Sequence, residues 1–182
     1  MFSLKVDHEI ELGLLEERHA EQLFALTDQN RTQLRQWLGW LDGTTAVEDT
    51  KAFVRGSLQR FAYNNGLAAG IWYQGALVGS IDFHSFNWAA RQTSIGYWLA
   101  AEFEGKGIMT RSCRAMLDYA FGELGLNRVS IHAATGNTKS RAIPTRLGFV
   151  QEGIARQAEW LYDHYVDLVA YTMLAQDWKN DK

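Results

Sequence analysis

Cysteine occurs once in this chain, at Cys113, and proline once, at Pro144. A lone thiol excludes an internal disulfide framework and fits a reducing compartment, the cytoplasm. The chain opens Met1-Phe2-Ser3-Leu4-Lys5 and runs into charged residues, with no apolar stretch long enough to span a bilayer. No signal peptide and no membrane partner are therefore expected. Positive charge is not in excess, since the net charge is −3, which speaks against wholesale binding of nucleic acid or acidic membranes. The five histidines (His8, His19, His84, His132 and His164) show no metal-ligand spacing, so no metal is expected. No linker, repeat or low-complexity segment interrupts the sequence, and residues 1–182 read as one domain.

What is present is a globular profile, 47% hydrophobic and 21% charged over 182 residues, enough for a real core. Aromatics reach 13%, with seven tryptophans, which suggests an aromatic-lined groove beside that core. Ile10–Leu15 reads as a first strand. Glu17–Thr27 and Arg31–Leu41 read as helices. Thr45-Ala46-Val47-Glu48 matches a capping box opening a third helix, whose apolar face is Val47, Val54, Leu58 and Phe61. Leu67–Tyr73, Gln74-Gly75 and Leu77–Phe83 read as a hairpin, followed by a turn at Asn87–Ala90 and a strand over Thr93–Leu99. Met109, Cys113, Met116, Leu117, Ala120, Phe121 and Leu124 form a helical stripe. Arg128–Ala134 is a further strand, Ser140–Leu147 a short helix closed by Gly148, and Phe149–Met173 strand and hairpin turning near Asp163. Pro144 falls inside that short helix and removes one backbone donor there. The order predicts an α/β (α+β) fold: a mixed sheet of about seven strands with helices on both faces. Thr93–Ala134 forms one parallel strand–helix–strand unit within it.

The segment Thr93–Phe121 carries the most chemistry. It reads as a strand, a glycine-containing loop and a helix, and such a loop can present backbone N–H groups to phosphate oxygens. Arg111 and Arg114, with Lys106 just before, oppose the helix dipole, which makes sense if a polyanion binds there. The alternative is a tight turn with solvated arginines. Gly105-x-Gly107-x-x-Thr110 lacks the third glycine of a dinucleotide fingerprint. Cys113 lies on the apolar stripe, so a ping-pong thiol is rejected.

Taken together, Ile95-Gly96-Tyr97-Trp98-Leu99, Glu104-Gly105-Lys106-Gly107-Ile108-Met109, Asn137-Thr138-Lys139-Ser140, Leu147-Gly148-Phe149, Glu152-Gly153 and the closing Asp163–Tyr171 hairpin carry a resemblance. The chain resembles the GNAT acetyltransferases, closest to the RimJ/RimL-type branch that acetylates ribosomal-protein N-termini. The likeness runs through nearly the whole chain. Two residues depart from the family's Gln/Arg-x-x-Gly-x-Gly/Ala loop: Glu104 stands for Gln/Arg and Met109 for Gly/Ala. Some relatives place a glutamate where this chain has Ala101, with Glu102 beside it.

The resemblance implies a GNAT-type, mostly antiparallel central sheet, acetyl-CoA as co-substrate, and direct attack by a primary amine. In the loop headed by Glu104, the backbone of Gly105, Lys106, Gly107, Ile108, Met109 and Thr110 would cradle the pyrophosphate. Trp98 and Leu99 would pair with the pantetheine arm, and the Leu99 N–H would polarise the thioester carbonyl. Asn137 would bond the pantetheine, or is only a turn residue. Ser140 would give a proton to the leaving thiolate, or caps its helix. An α-amino group, with a pKa of about 7.7–8.0, needs only a weak base, and Glu102 and His84 are the candidates. Each also has an ordinary reading, as a loop charge and a strand-end histidine; Tyr97 reads as packed in the sheet. Trp37, Trp40, Trp160 and Tyr162, with His84, are candidate walls of the acceptor site, or core residues. Glu159, Asp163 and Asp167 could give it a negative lip. The acceptor implied is the N-terminus of a protein, possibly ribosomal. A small polyamine-like amine, a non-catalytic acyl-CoA-binding protein and a dinucleotide-binding module are the alternatives. Relatives of this kind often associate, which leaves a homo-oligomer open.

Overall fold

The structure is a computed structural model that describes residues 3–180, with side chains through Trp178. One eight-stranded sheet runs through it in the order β1-β2-β3-β4-β5-β6-β8-β7. The strands are β1 (Ser3–Lys5), β2 (Ile10–Leu14), β3 (Leu67–Tyr73), β4 (Ala76–Phe83), β5 (Gln92–Leu99), β6 (Arg128–Ala134), β7 (Val150–Leu161) and β8 (His164–Leu174). Every neighbouring pair is antiparallel except β5 and β6. The expected parallel unit is there, and the eighth strand is β1, too short for a pattern to reveal.

The period-two alternation sorts side chains to two faces. Leu67, Ala69 and Ile71 of β3 join Ile81 and Phe83 of β4 on one face. There they meet Ile108, Met109, Cys113, Met116 and Leu117 of α4 (Ile108–Asp118) and Ile143 of α5 (Thr138–Arg146). Each large aliphatic group buried here contributes on the order of 1.5–3 kcal/mol. Ala68 and Leu77 face the other way, onto Leu23 and Leu26 of α1 (Ala20–Gln29) and Val54 of α3 (Val47–Ala62). The hairpin β3–β4 turns at Gln74-Gly75 with φ of 51° and 84°, the paired left-handed conformation that matches strand twist. A final helix, α6 (Ala175–Asn180), follows β8 and was not expected.

Three local expectations need correction. The predicted helix over Arg31–Leu41 is only a single turn, α2 (Arg31–Leu34). The Arg31 guanidinium bonds the carbonyls of Leu41 and Thr44, each at 2.7 Å, and draws the chain back on itself, so Trp37 and Leu38 leave the helix axis. The cap of α3 uses Asp49, not Glu48: its carboxylate accepts from the Thr45 and Ala46 N–H groups at 2.8 and 2.9 Å. Phe61 is 38% exposed, and the buried face of α3 is Thr50, Val54 and Ser57.

One irregularity of the sheet matters most. The parallel pair β5–β6 is bonded only from Gln92 to Ser94. Beyond Ser94 the two strands part, while β5 stays paired with β4 through Leu99. A wedge-shaped gap therefore opens along Ile95–Leu99, with strand edges that no neighbour covers.

Candidate active site

The gap is the seam between two depressions. The first is a groove of about 1000 Å³ over the C-terminal end of β5, bounded by the loop Glu104–Gly107 and the N-terminal turns of α4 and α5. The second is a cavity of about 820 Å³ on the α1–α3 face of the sheet. Both are lined by Trp37, Leu38, Tyr97, Trp98, Asn137 and Ser140, so these residues form their junction.

Sequence dictates the groove's floor. Gly105 and Gly107 take φ of 75° and 72°, a conformation that L side chains rarely adopt, and a Cβ at either would meet nothing within 4 Å. Backbone freedom and open space in front of a helix start make room for an anion. The backbone N–H groups of Gly105, Lys106 and Gly107 give no bond to a backbone carbonyl among the described residues, and the first turn of α4 has no intrahelical acceptor to use. The loop therefore fits a phosphate-bearing ligand. Ile108 and Met109 anchor it by burying their side chains, at 1% and 6% exposure.

The cations expected to greet that anion do other work. Arg111 pairs with Asp7 at 2.6 Å and Glu9 at 3.1 Å, pinning the β1–β2 turn to α4. Arg114 belongs to the second turn and lies over the Trp178 ring. Lys106 sits over the rings of Phe103 and Tyr73 and does not line the groove. Arg111 still lines the groove, and the groove's other basic residues come from α5: Lys139, paired with Glu104, and Arg146, which donates to the Thr110 hydroxyl at 2.8 Å. Glu104 also accepts from the Gln33 amide, so one carboxylate clasps α2, the loop and α5 together. Gln33 Oε1 is buried there without a hydrogen-bond partner among the described residues. Sequence reading missed Gln33, Lys139 and Arg146; the seven-residue spacing of the last two on α5, which puts them on one helix face, was the available signal.

At the junction, Asn137 caps α5 by accepting from the Ser140 N–H at 3.2 Å. Ser140 is thus not the cap, and its hydroxyl lies 3.4 Å from the Tyr97 hydroxyl. Tyr97 donates to the Ser140 carbonyl at 3.0 Å. Pro144 explains that contact: in an unbroken helix the residue at 144 would donate to the carbonyl at 140, and proline has no N–H. The single proline therefore frees the oxygen that holds Tyr97 against Ser140. Burial pushes the Tyr97 phenol well above its ordinary range, so it stays protonated.

The cavity takes Trp37 and Trp40 from the turn after α2, Asp82 from β4 and His84 just past its end, Ser94 and Gly96 from β5, and His132 from β6. Glu159 of β7 closes it. The β7–β8 turn folds onto the Trp37–Gly39 segment, where Tyr162 donates to the Leu38 carbonyl and Gly39 abuts Leu161, and Glu159 lines the cavity wall. No hydrogen bond or ion pair among the described residues engages the Glu159 carboxylate, and burial raises its pKa. Several sequence candidates fall elsewhere. Glu102 is exposed in the turn Ala101–Phe103 and lines neither depression. Trp160 is 53% exposed against Tyr165, and Tyr162 lies under the Arg35 guanidinium; neither lines the cavity. Leu99 lines the groove, Trp98 both spaces and His84 the cavity. Cys113 is fully buried, and burial pushes its thiol far up. No group of three or more metal-ligating side chains occurs among the described residues.

Comparison with known proteins places these features. Residues 9–150 match the family model described as acetyltransferase (GNAT) domain. YdaF of Bacillus subtilis (strain 168), whose name provisionally marks it a ribosomal N-acetyltransferase, is 43% identical over 183 residues, spanning 100% of both chains. The ribosomal-protein-serine acetyltransferase of Escherichia coli (strain K12) is 30% identical, over 94% of this chain and 96% of that one. The solved structure of RimL, a ribosomal L7/L12 alpha-N-protein acetyltransferase in complex with coenzyme A, superposes with a TM-score of 0.93. It is 28% identical, over 97% of this chain and 99% of that chain.

Proposed function

The chain belongs to the GNAT acetyltransferase family, and as an acetyl-CoA-dependent N-acetyltransferase we propose that it acetylates the N-terminal α-amine of a protein, a ribosomal one in particular. The observation that carries this reading is the junction: a phosphate-fitting groove and a separate, carboxylate-bearing cavity meet only where β5 has left β6. Two substrates entering from opposite sides would touch at Tyr97, Trp98 and Ser140.

In this reading the loop Gly105–Thr110 holds the pyrophosphate through backbone N–H groups, with Lys139 and Arg146 supplying charge. The open edge of β5 at Trp98 and Leu99 pairs with the pantetheine arm as an added strand would, and a backbone N–H there polarises the thioester carbonyl. Glu159 takes the proton from the incoming ammonium, in place of Glu102. Its raised pKa makes it a better base than an ordinary carboxylate, and an α-amine with a pKa of about 7.7–8.0 asks little more. The neutral amine attacks the carbonyl carbon, the C–S bond breaks, and the Ser140 hydroxyl, held against Tyr97, relays the second proton shed by the attacking nitrogen to the departing thiolate, so that Ser140 ends protonated and CoA leaves as the thiol.

The test is release of CoA thiol with acetyl-CoA and panels of N-terminal peptides and polyamines. Turnover on peptides with little on polyamines is the expected result. Turnover on polyamines alone returns the small-amine reading, and CoA binding with no turnover on any amine returns the non-catalytic one.

A further inference from the structure

Asp82 of β4 and His84, the residue after its end, lie two positions apart, and Asp82 stands opposite Gly96 of β5. Their side chains close over that glycine. His84 Nε2 lies 3.5 Å from Asp82 Oδ2, and a Cβ built at Gly96 would come within 2.6 Å of His84 Nε2 and 2.8 Å of Asp82 Oδ1. Real Cβ atoms do not approach so closely, so this pairing requires glycine at 96. The other ring nitrogen, His84 Nδ1, is 2.8 Å from the Ser94 hydroxyl. Asp82, His84 and Ser94 thus form a row on the cavity floor, with Arg60 and His132 also lining the space.

The Asp82 side chain is 22% exposed, and apart from the 3.5 Å approach of His84 no hydrogen-bond donor reaches its carboxylate among the described residues. A carboxylate mostly withdrawn from water and left without donors favours any ligand that brings one. β5 sets the distance. Gly96 is two residues from Trp98, roughly 7 Å along the strand. A group carried one side chain away from an amine reacting at Trp98 would therefore come within reach of Asp82.

We propose that Asp82, positioned by His84 and made possible by Gly96, selects the acceptor by accepting a hydrogen bond from a hydroxyl or ammonium group carried close to the amine that is acetylated. This rests on the cavity being the acceptor site. The contact deepens that reading by naming what distinguishes one amine from another.

The experiment compares kcat/KM for matched acceptors that differ by one donor: peptides beginning with Ser or Ala, and 1,4-diaminobutane against butylamine. Wild type favours the donor-bearing member of at least one pair by roughly 10- to 100-fold. Asp82→Leu, which removes the acceptor and keeps the branched heavy-atom outline, brings that ratio close to one, with the change in KM and not in kcat. Gly96→Ala, which displaces the pair, does the same and serves should the leucine variant not fold. Asp82→Asn separates the sources: a hydroxyl preference survives an amide oxygen, and an ammonium preference does not. A ratio as large in Asp82→Leu and Gly96→Ala as in wild type overturns the assignment, as does a wild-type ratio near one in both pairs. Titration of the same compounds onto the CoA-loaded protein reads the selectivity without turnover. Selective binding with no acetylation would contradict acetyl transfer and leave this contact standing.

Discussion

At the scale of single residues, unengaged polar groups decide the chemistry. Glu159 has no hydrogen-bond or ion-pair partner among the described residues and is held above the ordinary carboxylate range by burial. Glu159→Gln should lower kcat/KM by roughly 10²- to 10⁴-fold, the usual range for a removed general base. The sign of the pH effect follows: a base must be ionised, so wild-type kcat/KM rises as pH climbs through the raised pKa, and the variant should lose that limb. A pH–rate profile of both proteins, on one acceptor, checks it. Ser140 and Asn137 were legible in the sequence through their place after β6. Their division of labour was not, because which of two polar residues caps α5 is settled only by its turn geometry. Asp82 gave no signal at all, since a polar residue alternating with Ile81 and Phe83 is what any half-exposed strand shows. Pro144 reads in the sequence as one lost backbone donor, and in the structure that loss frees the Ser140 carbonyl for Tyr97. Pro144→Ala supplies a competing N–H and should lower kcat more than it changes CoA affinity, as steady-state kinetics beside calorimetric titration would reveal.

At the scale of elements, the site exists because β5 is shared unequally. It remains with β4 to Leu99 and leaves β6 after Ser94. The neighbouring pieces were legible because local rules agree with the fold: Gln74-Gly75 supplies a hairpin turn, and the stripe from Met109 to Phe121 has helical period and is buried. The turn after Arg31 was not, because a distant carbonyl pair overrides helix propensity there, and the parting of two strands leaves no local signature. The loop before α4 carries two tests. Gly107→Val places a branched side chain at φ of 72°, which should cost roughly 1–2 kcal/mol in a left-handed conformation, and it should also abolish most of the thermal stabilisation given by CoA. Glu104→Gln removes a negative charge from the groove and unties Lys139, so CoA should bind more tightly, with a lower Kd by titration. Unchanged affinity would mean that the Glu104 side chain turns away when ligand enters.

At the scale of the whole molecule, the half of the sheet beyond the three bonded residues of β5 and β6 carries its own clasp, from β6 across β8 to β7. Arg128 of β6 holds Glu152 of β7 through two hydrogen bonds at 2.8 and 2.7 Å, and the guanidinium keeps that carboxyl down at about 2. A depressed carboxylate pKa contributes stability above the unfolded value, near 4.3, and loses it as pH falls toward 2. Both side chains are partly exposed, so solvent screening limits the contribution to under about 1 kcal/mol. Glu152→Gln should therefore flatten the acid side of a Tm-against-pH curve slightly while leaving the neutral region lower by at most a few degrees. What the whole fold achieves is the meeting of groove and cavity at one place, and the central claim is that an α-amine meets acetyl-CoA there. The most direct measurement uses a peptide with a free N-terminus and an internal lysine, incubated with acetyl-CoA, and locates the acetyl group by fragmentation mass spectrometry as thiol release is followed. The account predicts one acetyl group, on the α-nitrogen, matched by an equal amount of CoA. Acetylation of the lysine side chain in its place, or CoA released with no acetylated peptide, would contradict it.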